Sequence, residues 1–256
     1  MGQINDEPKA GMQKFTTDKG REIAYHKMDG NGTGVVFLGG FKSDMDGTKA
    51  LHLEAWCKAQ GRSFLRFDYS GHGGSSGEFT DGSIGDWSED AQAAIETLTD
   101  GPQVLVGSSM GGWISLLMCK RIATRIAGLV TIAAAPDFTE DGMWAGFSDA
   151  QKAELETGQI ALPSDYGEPY IITKRLIEDG RSHLVLRAPI DLPFPVRFLQ
   201  GTDDADVSMH VALKLLDHVD GHDIQLHLQK GGDHRFSDPA ALTMIEQALT
   251  DVLGQI

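Results

Sequence analysis

The apolar run Val104-Leu105-Val106 leads directly into Gly107-Ser108-Ser109-Met110-Gly111, and a helical pattern follows from Gly112 to Ile122. A chain that turns from strand to helix within so few residues needs glycines where side chains would obstruct the turn. A serine at the centre of such a G-x-S-x-G elbow is held with its hydroxyl exposed at the end of a sheet. The pattern predicts that Ser109 is a nucleophile. Five residues of common loop types are weak evidence alone, so the rest of the chain has to supply the partners.

The surroundings predict alternating strands and helices. Lys14–Thr17 and Glu22–Met28 read as a hairpin turning at Asp18-Lys19-Gly20. Val35–Leu38 reads as a buried strand entering Gly39-Gly40-Phe41, and Thr48–Gln60 as a helix closed by Gly61. Ser63–Phe67 is the next strand. Asp86 and Glu89 read as a capping pair before a helix that buries Trp87, Ala91, Ala94, Ile95 and Leu98. Ile126–Ala133 is a further strand. The rhythm resumes at Val196–Leu199, followed by a helix over 207–219. A strand then alternates Ile224, Leu226 and Leu228 with polar residues, and a last helix is capped by Asp238-Pro239.

Such alternation predicts one α/β domain over residues 1–256, with a mostly parallel sheet covered by helices on both faces. The segment 136–195 breaks the rhythm and has helical stretches at Asp149–Glu156 and Tyr170–Ile177. It reads as a small helical cap inserted over the sheet end, since long insertions are usually functional. Its aromatics Trp144, Phe147, Tyr166 and Tyr170 either line a substrate pocket or form the insertion's own core.

A serine hydroxyl needs a base within hydrogen-bond reach, and that base needs a group to orient it. With an elbow serine the expected chain order is serine, acid, histidine. Gly201-Thr202-Asp203-Asp204-Ala205-Asp206-Val207 follows one late strand, and Gly231-Gly232-Asp233-His234 follows the last. Parallel strands deliver these loops to one sheet edge. His234 is the expected base; His72 precedes the serine and is in the wrong order. Asp203, Asp204 and Asp206 compete as the acid. The backbone N–H groups of Met110 and Phe41 are the expected oxyanion donors, Gly39 and Gly40 allowing a close approach.

A net charge of −15 excludes a nucleic-acid partner and an anionic membrane surface. No apolar run reaches membrane-spanning length, so no integral membrane association is expected. The start MGQINDEPKAGMQKF has no apolar signal core, and Cys57 and Cys119 read as buried small hydrophobes. A cytoplasmic protein is expected. No metal and no cofactor are expected. The aspartates at 203, 204 and 206 lack calcium-loop spacing, and Gly30–Gly34 precedes a strand where a dinucleotide loop would follow one.

These residues resemble the α/β-hydrolase superfamily over nearly the whole chain. Asp68-x-x-Gly71-x-Gly73-x-Ser75 resembles its loop after the fourth strand. Gly201-x-x-Asp204-x-x-Val207 resembles its acid loop, a register that selects Asp204. The runs Asp46–Leu51, Arg66–Gly71, Asp100–Gln103, Val106–Trp113 and Asp233–Arg235 are similar to the branch that contains the mitochondrial palmitoyl-protein thioesterase, which also hydrolyses acyl glucuronides. Ser208 and Gly39 depart from common family residues, proline at the first and proline or histidine at the second. The resemblance implies a serine carboxylesterase or acyl thioesterase with the triad Ser109, Asp204 and His234. Its partner would be a small ester or thioester, or an acylated protein. A peptidase, a carbon–carbon bond hydrolase and a non-catalytic binding protein on the same fold are the alternatives.

Overall fold

The structure is a computed structural model that describes residues 11–163 and 169–256. Twelve strands and seven α-helices occur among them. In chain order they are β1 (Gln13–Thr16), β2 (Glu22–Met28), β3 (Gly34–Leu38), α1 (Thr48–Ala59), β4 (Phe64–Phe67), α2 (Ile84–Leu98), β5 (Gln103–Ser108) and α3 (Met110–Arg121). Then come β6 (Ile126–Ile132), α4 (Asp149–Leu155), β7 (Gln159–Leu162), β8 (Tyr170–Thr173), α5 (Lys174–Arg181) and β9 (Ile190–Asp191). The chain closes with β10 (Val196–Gly201), α6 (Met209–His218), β11 (Val219–Asp220), β12 (Ile224–Gln229) and α7 (Pro239–Leu253).

Eight strands form the central sheet in the order β1-β2-β4-β3-β5-β6-β10-β12. Only the β1–β2 and β2–β4 pairs are antiparallel. The strands at its centre are apolar on both sides because helices cover both faces. Val104 and Val106 of β5 face α1 and α7 through Leu53, Ile245 and Leu249, whereas Leu105 packs with Trp87, Ile95 and Ile114 of α2 and α3. Each fully buried leucine or isoleucine in these layers stabilises the fold by about 1.5–3 kcal/mol. The expected α/β architecture is therefore present. Among the described residues no helix is long and apolar enough to cross a membrane.

Three local expectations are corrected. The N-cap of α2 is Ser83, whose side chain accepts from the Asp86 N–H, so the helix starts a turn earlier than an Asp86–Glu89 cap would allow. Asp86 and Glu89 instead face Arg21. Tyr170–Thr173 is a strand, not the start of a helix; its β-branched run pairs with β7, and Thr173 caps α5 by accepting from Leu176 N–H. Leu228 is 42% exposed, because β12 is an edge strand with only one neighbour.

Between β6 and β10 the chain leaves the sheet. This excursion carries a π-helical turn at Phe138–Trp144, two helices, the β7–β8 hairpin and β9, which pairs with β11. It is thus less purely helical than expected. Its root is fixed by the buried carboxylate of Asp137, which accepts from Val185 N (2.7 Å) and Leu186 N (2.9 Å).

The site is positioned by backbone packing. A Cβ on Gly201 would lie 2.1 Å from Gly232 O, so the loops after β10 and β12 touch main chain to main chain. Asp203 N–H donates to Gly232 O at 3.0 Å and Gly231 N–H to Thr202 Oγ1 at 2.8 Å. The acid and histidine loops are thereby locked in register.

Candidate active site

Ser109 sits between β5 and α3 with φ 53° and ψ −116°, a conformation that costs of order 1–3 kcal/mol for a non-glycine residue. The elbow is held by Ser109 N–H to Ile132 O (2.9 Å), with Ser109 O accepting from Gly112 N (2.9 Å) and Ala135 N (3.1 Å). A Cβ on Gly107 would lie 2.4 Å from Gly111 O, and one on Gly111 would lie 2.1 Å from Leu38 O. Both glycines of the motif are sterically required, and the second lets the elbow rest on the chain leaving β3.

The three side chains expected to cooperate meet. His234 Nε2 lies 3.2 Å from Ser109 Oγ, and His234 Nδ1 lies 2.9 Å from Asp204 Oδ2. The Asp204 side chain is fully buried. Its Oδ1 accepts from Val207 N (2.8 Å) and Asp206 N (2.9 Å), and Oδ2 also accepts from Gln200 Nε2 (2.9 Å). Burial opposes ionisation here. The hydrogen bonds from His234, Val207 and Gln200 outweigh it and hold the carboxyl below its ordinary value. Asp203 and Asp206 do not occupy this place: Asp203 Oδ1 pairs with Thr202 Oγ1, and Asp206 contributes its backbone N–H to Asp204.

Gln200 was not anticipated. It is fully buried near the end of β10, and a polar residue after the apolar pair Phe198-Leu199, just before the acid loop, was the available signal. Asp204, Asp206 and His234 are the single group among the described residues whose donor atoms could close on a cation, lying within 4.8 Å of one another. A cation there would have to displace the hydrogen bonds that already engage both Asp204 oxygens.

Met110 is the first residue of α3, so its N–H is one that the helix leaves without an intrahelical acceptor. The chain after β3 forms a turn in which Ser43 N–H (3.3 Å) and Ser43 Oγ (2.8 Å) both donate to Gly40 O. A Cβ on Gly40 would lie 3.5 Å from Ser109 Cβ, which places the Gly40–Phe41 backbone against the elbow. Such a pair of N–H groups beside a half-buried serine hydroxyl can stabilise a developing oxyanion.

These groups open into a cavity of about 820 Å³. Phe41, Phe138, Met143, Leu162, Pro163 and Tyr170 make its apolar wall, while Lys42, Lys49 and Arg235 lie on its polar side. Burial lowers the Lys49 ammonium to about 8, against the opposing pull of Asp233. Of the aromatics expected here, Tyr170 lines the cavity. Trp144 and Phe147 do not: they pack on each other with centroids 6.5 Å apart, and Arg181 and Lys152 lie over the Trp144 ring. They join the hydrophobic cluster that the excursion shares with α2, α3 and the sheet, and Tyr166 lies outside the described residues. The sequence reading missed Phe138, Met143, Leu162 and Pro163, because which face of the excursion turns inward depends on how it folds back.

His72, the histidine in the wrong chain order, has both ring nitrogens engaged elsewhere, with Ser70 O at 3.1 Å and Lys42 N at 3.2 Å. Burial lowers it to about 4, so the ring is neutral at pH 7.

Comparison with known proteins agrees with this fold. Residues 33–164 match the family described as serine aminopeptidase, S33. The chain is 34% identical over 237 residues to the mitochondrial palmitoyl-protein thioesterase ABHD10 of Homo sapiens, covering 91% of this chain and 77% of that one. The solved structure of alpha/beta hydrolase domain-containing protein 10 from mouse superposes with TM-score 0.89 at 31% identity, covering 96% of this chain and 99% of that one. A solved structure from Agrobacterium vitis S4 gives TM-score 0.91 at 39% identity over 94% of this chain and 98% of the other.

Proposed function

This chain belongs to the α/β-hydrolase family described as serine aminopeptidase, S33, together with its palmitoyl-protein thioesterase relatives, and from that premise we propose that it hydrolyses carboxylic esters and thioesters through an acyl-enzyme on Ser109. The observation that carries the mechanism is the continuous contact Ser109 Oγ–His234 Nε2 and His234 Nδ1–Asp204.

In this mechanism Ser109 Oγ attacks the acyl carbonyl as His234 Nε2 takes its proton. Asp204 holds the Nδ1–H tautomer and stabilises the imidazolium. The N–H groups of Met110 and Phe41 receive the oxyanion, and loss of one such donor costs roughly 10²–10³ in rate. The proton on His234 passes to the departing alcohol or thiol. Water, deprotonated by the same imidazole, then releases the acid and restores Ser109.

The apolar wall fits the acyl chain, and the excursion over residues 136–195 acts as the cap that supplies most of it. The whole chain works as one domain. The substrate is a small ester or thioester, or an acyl group carried on a protein. A peptidase reading draws on the family's description, but the ester reading agrees with the thioesterase relatives that match most of the chain. Both cysteines are free and buried, which fits a reducing compartment, and the cytoplasm is the location proposed. The mitochondrial relatives define the alternative, and cell fractionation separates the two.

The test is labelling with a fluorophosphonate probe alongside turnover of p-nitrophenyl esters, acyl thioesters and peptide p-nitroanilides. Wild type should label and cleave the first two classes, and Ser109→Ala should do neither. Persistent labelling of the variant would sink the assignment of Ser109; preferential cleavage of the anilides would favour the peptidase.

A further inference from the structure

The turn Gly40-Phe41-Lys42-Ser43 is closed by the Ser43 N–H to Gly40 O bond, and Lys42 takes φ 56° in it. A positive φ at the third position of a four-residue turn is the mark of type II, a place favoured by glycine or asparagine. Types I and II differ by a flip of the central peptide, here the one joining Phe41 to Lys42. The sequence offers neither favoured residue, so something outside the turn has to select the orientation.

That group is His72. Its Nε2 lies 3.2 Å from Lys42 N, and its Nδ1 lies 3.1 Å from Ser70 O. A carbonyl oxygen only accepts, so the proton is on Nδ1 and Nε2 presents a lone pair to the Lys42 N–H. If the peptide flipped, the Phe41 carbonyl would face that lone pair, acceptor against acceptor. The ring cannot turn away, since it is 4% exposed and packs edge-on against Tyr69, Phe79 and Trp87. Ser70 O also accepts from Trp87 Nε1 at 3.1 Å, which fixes the carbonyl that orients the imidazole. Ser43 holds the peptide before Phe41 through Gly40 O, and His72 holds the one after it. Tyr69 Oη reaches the start of the same loop at Gly39 O (3.4 Å).

We propose that His72 is a positioning residue for acyl transfer: as the neutral Nδ1–H tautomer it accepts from Lys42 N–H and anchors the far side of the turn whose near side, held by Ser43, carries the Phe41 N–H toward the oxyanion. This rests on the hydrolase reading given above. His72 touches neither substrate nor reacting atoms. The low value that burial gives the imidazole keeps this tautomer unprotonated across the neutral range.

The experiment pairs His72→Phe with His72→Gln. Phenylalanine keeps the aromatic packing and removes the acceptor, and Ser70 O keeps the Trp87 donor. Glutamine restores an acceptor for Lys42 N–H. The expected result with a p-nitrophenyl ester is a fall in kcat of about ten- to a hundredfold in the phenylalanine variant, with KM held and most of kcat regained by glutamine. Equal activity in all three proteins overturns the proposal, and so does an equal loss in both variants. Histidine ring 15N shifts of the wild type test the contact without any variant: Nδ1–H at His72 is expected, and Nε2–H overturns it. A wild type without turnover would overturn the hydrolase reading, whereas an active wild type insensitive to His72→Phe overturns this inference alone.

Discussion

Replacing Asp204 by asparagine tests both the acid and the logic that selected it from three neighbours. Asparagine has one acceptor oxygen and one donor amide, whereas the carboxylate accepts at both oxygens. With the amide at the Oδ2 place it meets the donors Gln200 Nε2 and His234 Nδ1, and with the amide at the Oδ1 place it meets the Val207 and Asp206 N–H groups. Neither orientation satisfies the site. The first drives His234 to the Nε2–H tautomer, so the nitrogen 3.2 Å from Ser109 Oγ becomes a donor and can no longer take the proton. In a Ser-His-Asp triad the same substitution lowers kcat about 10⁴-fold, which corresponds to about 5 kcal/mol of barrier. Charge-assisted hydrogen bonds of this kind contribute roughly 1.5–3 kcal/mol each, so an unfolding free energy lower by about 3 kcal/mol is also expected. The folded carboxyl lies below its unfolded value near ~3.9, so its contribution is present above that pH and is lost as pH falls through the folded value. The wild-type advantage in stability should therefore narrow only in acid. The assay is steady-state ester hydrolysis with urea melts, run beside Asp203→Asn and Asp206→Asn, the other two aspartates of the same loop. Retention of more than about a tenth of kcat by Asp204→Asn, or an equal loss in either neighbour, would refute the reasoning.

Two further outcomes follow from the packing. Gly111→Ala puts a Cβ 2.1 Å from Leu38 O and 2.6 Å from Gly39 O, and backbone atoms there cannot give way cheaply. Thermal melts should show a loss of about 1–3 kcal/mol, and displacement of the oxyanion loop should lower kcat about 10²-fold. Gly146→Ala, with open space at the new Cβ, should change neither. The second outcome concerns pH. His72 sits at about 4 in the fold, below its ordinary 6.5, so the unfolded chain binds the extra proton between those values and stability falls as pH drops through them. From pH 7 to pH 5 this amounts to about 2 kcal/mol. Urea melts of His72→Phe should lack that increment, and a parallel pH dependence in the two proteins would contradict it.

Local chemistry made much of the fold legible in the sequence. The two-sided apolar runs of β3, β5 and β6 could only be buried parallel strands, and the stripe Trp87, Ala91, Ala94, Ile95 and Leu98 could only face a core. The elbow glycines announced a sharp turn, and the order of Ser109, the aspartate loop and His234 followed from strands that end on one edge. These are short-range codes, carried by period, turn residues and chain order. Where two local codes competed, the sequence misled: Ser83 and Asp86 both resemble caps, and Tyr170-Ile171-Ile172-Thr173 fits a helix by spacing but a strand by its β-branched residues.

What only the tertiary structure decided involves contacts between segments distant in sequence. Asp203, Asp204 and Asp206 are alike by loop composition. Resemblance chose Asp204, and its contacts with Gln200 and His234 give it a physical place that its neighbours lack. The cavity wall of Phe138, Met143 and Leu162, with Trp144 and Phe147 turned away from the cavity onto each other, depends on how the excursion folds back over the sheet. The orientation of the peptide after Phe41 depends on His72, thirty residues later in the chain. Periodicity encodes which side of an element is apolar, but not which distant surface that side will meet, and the elbow serine acquires its partners only through those meetings.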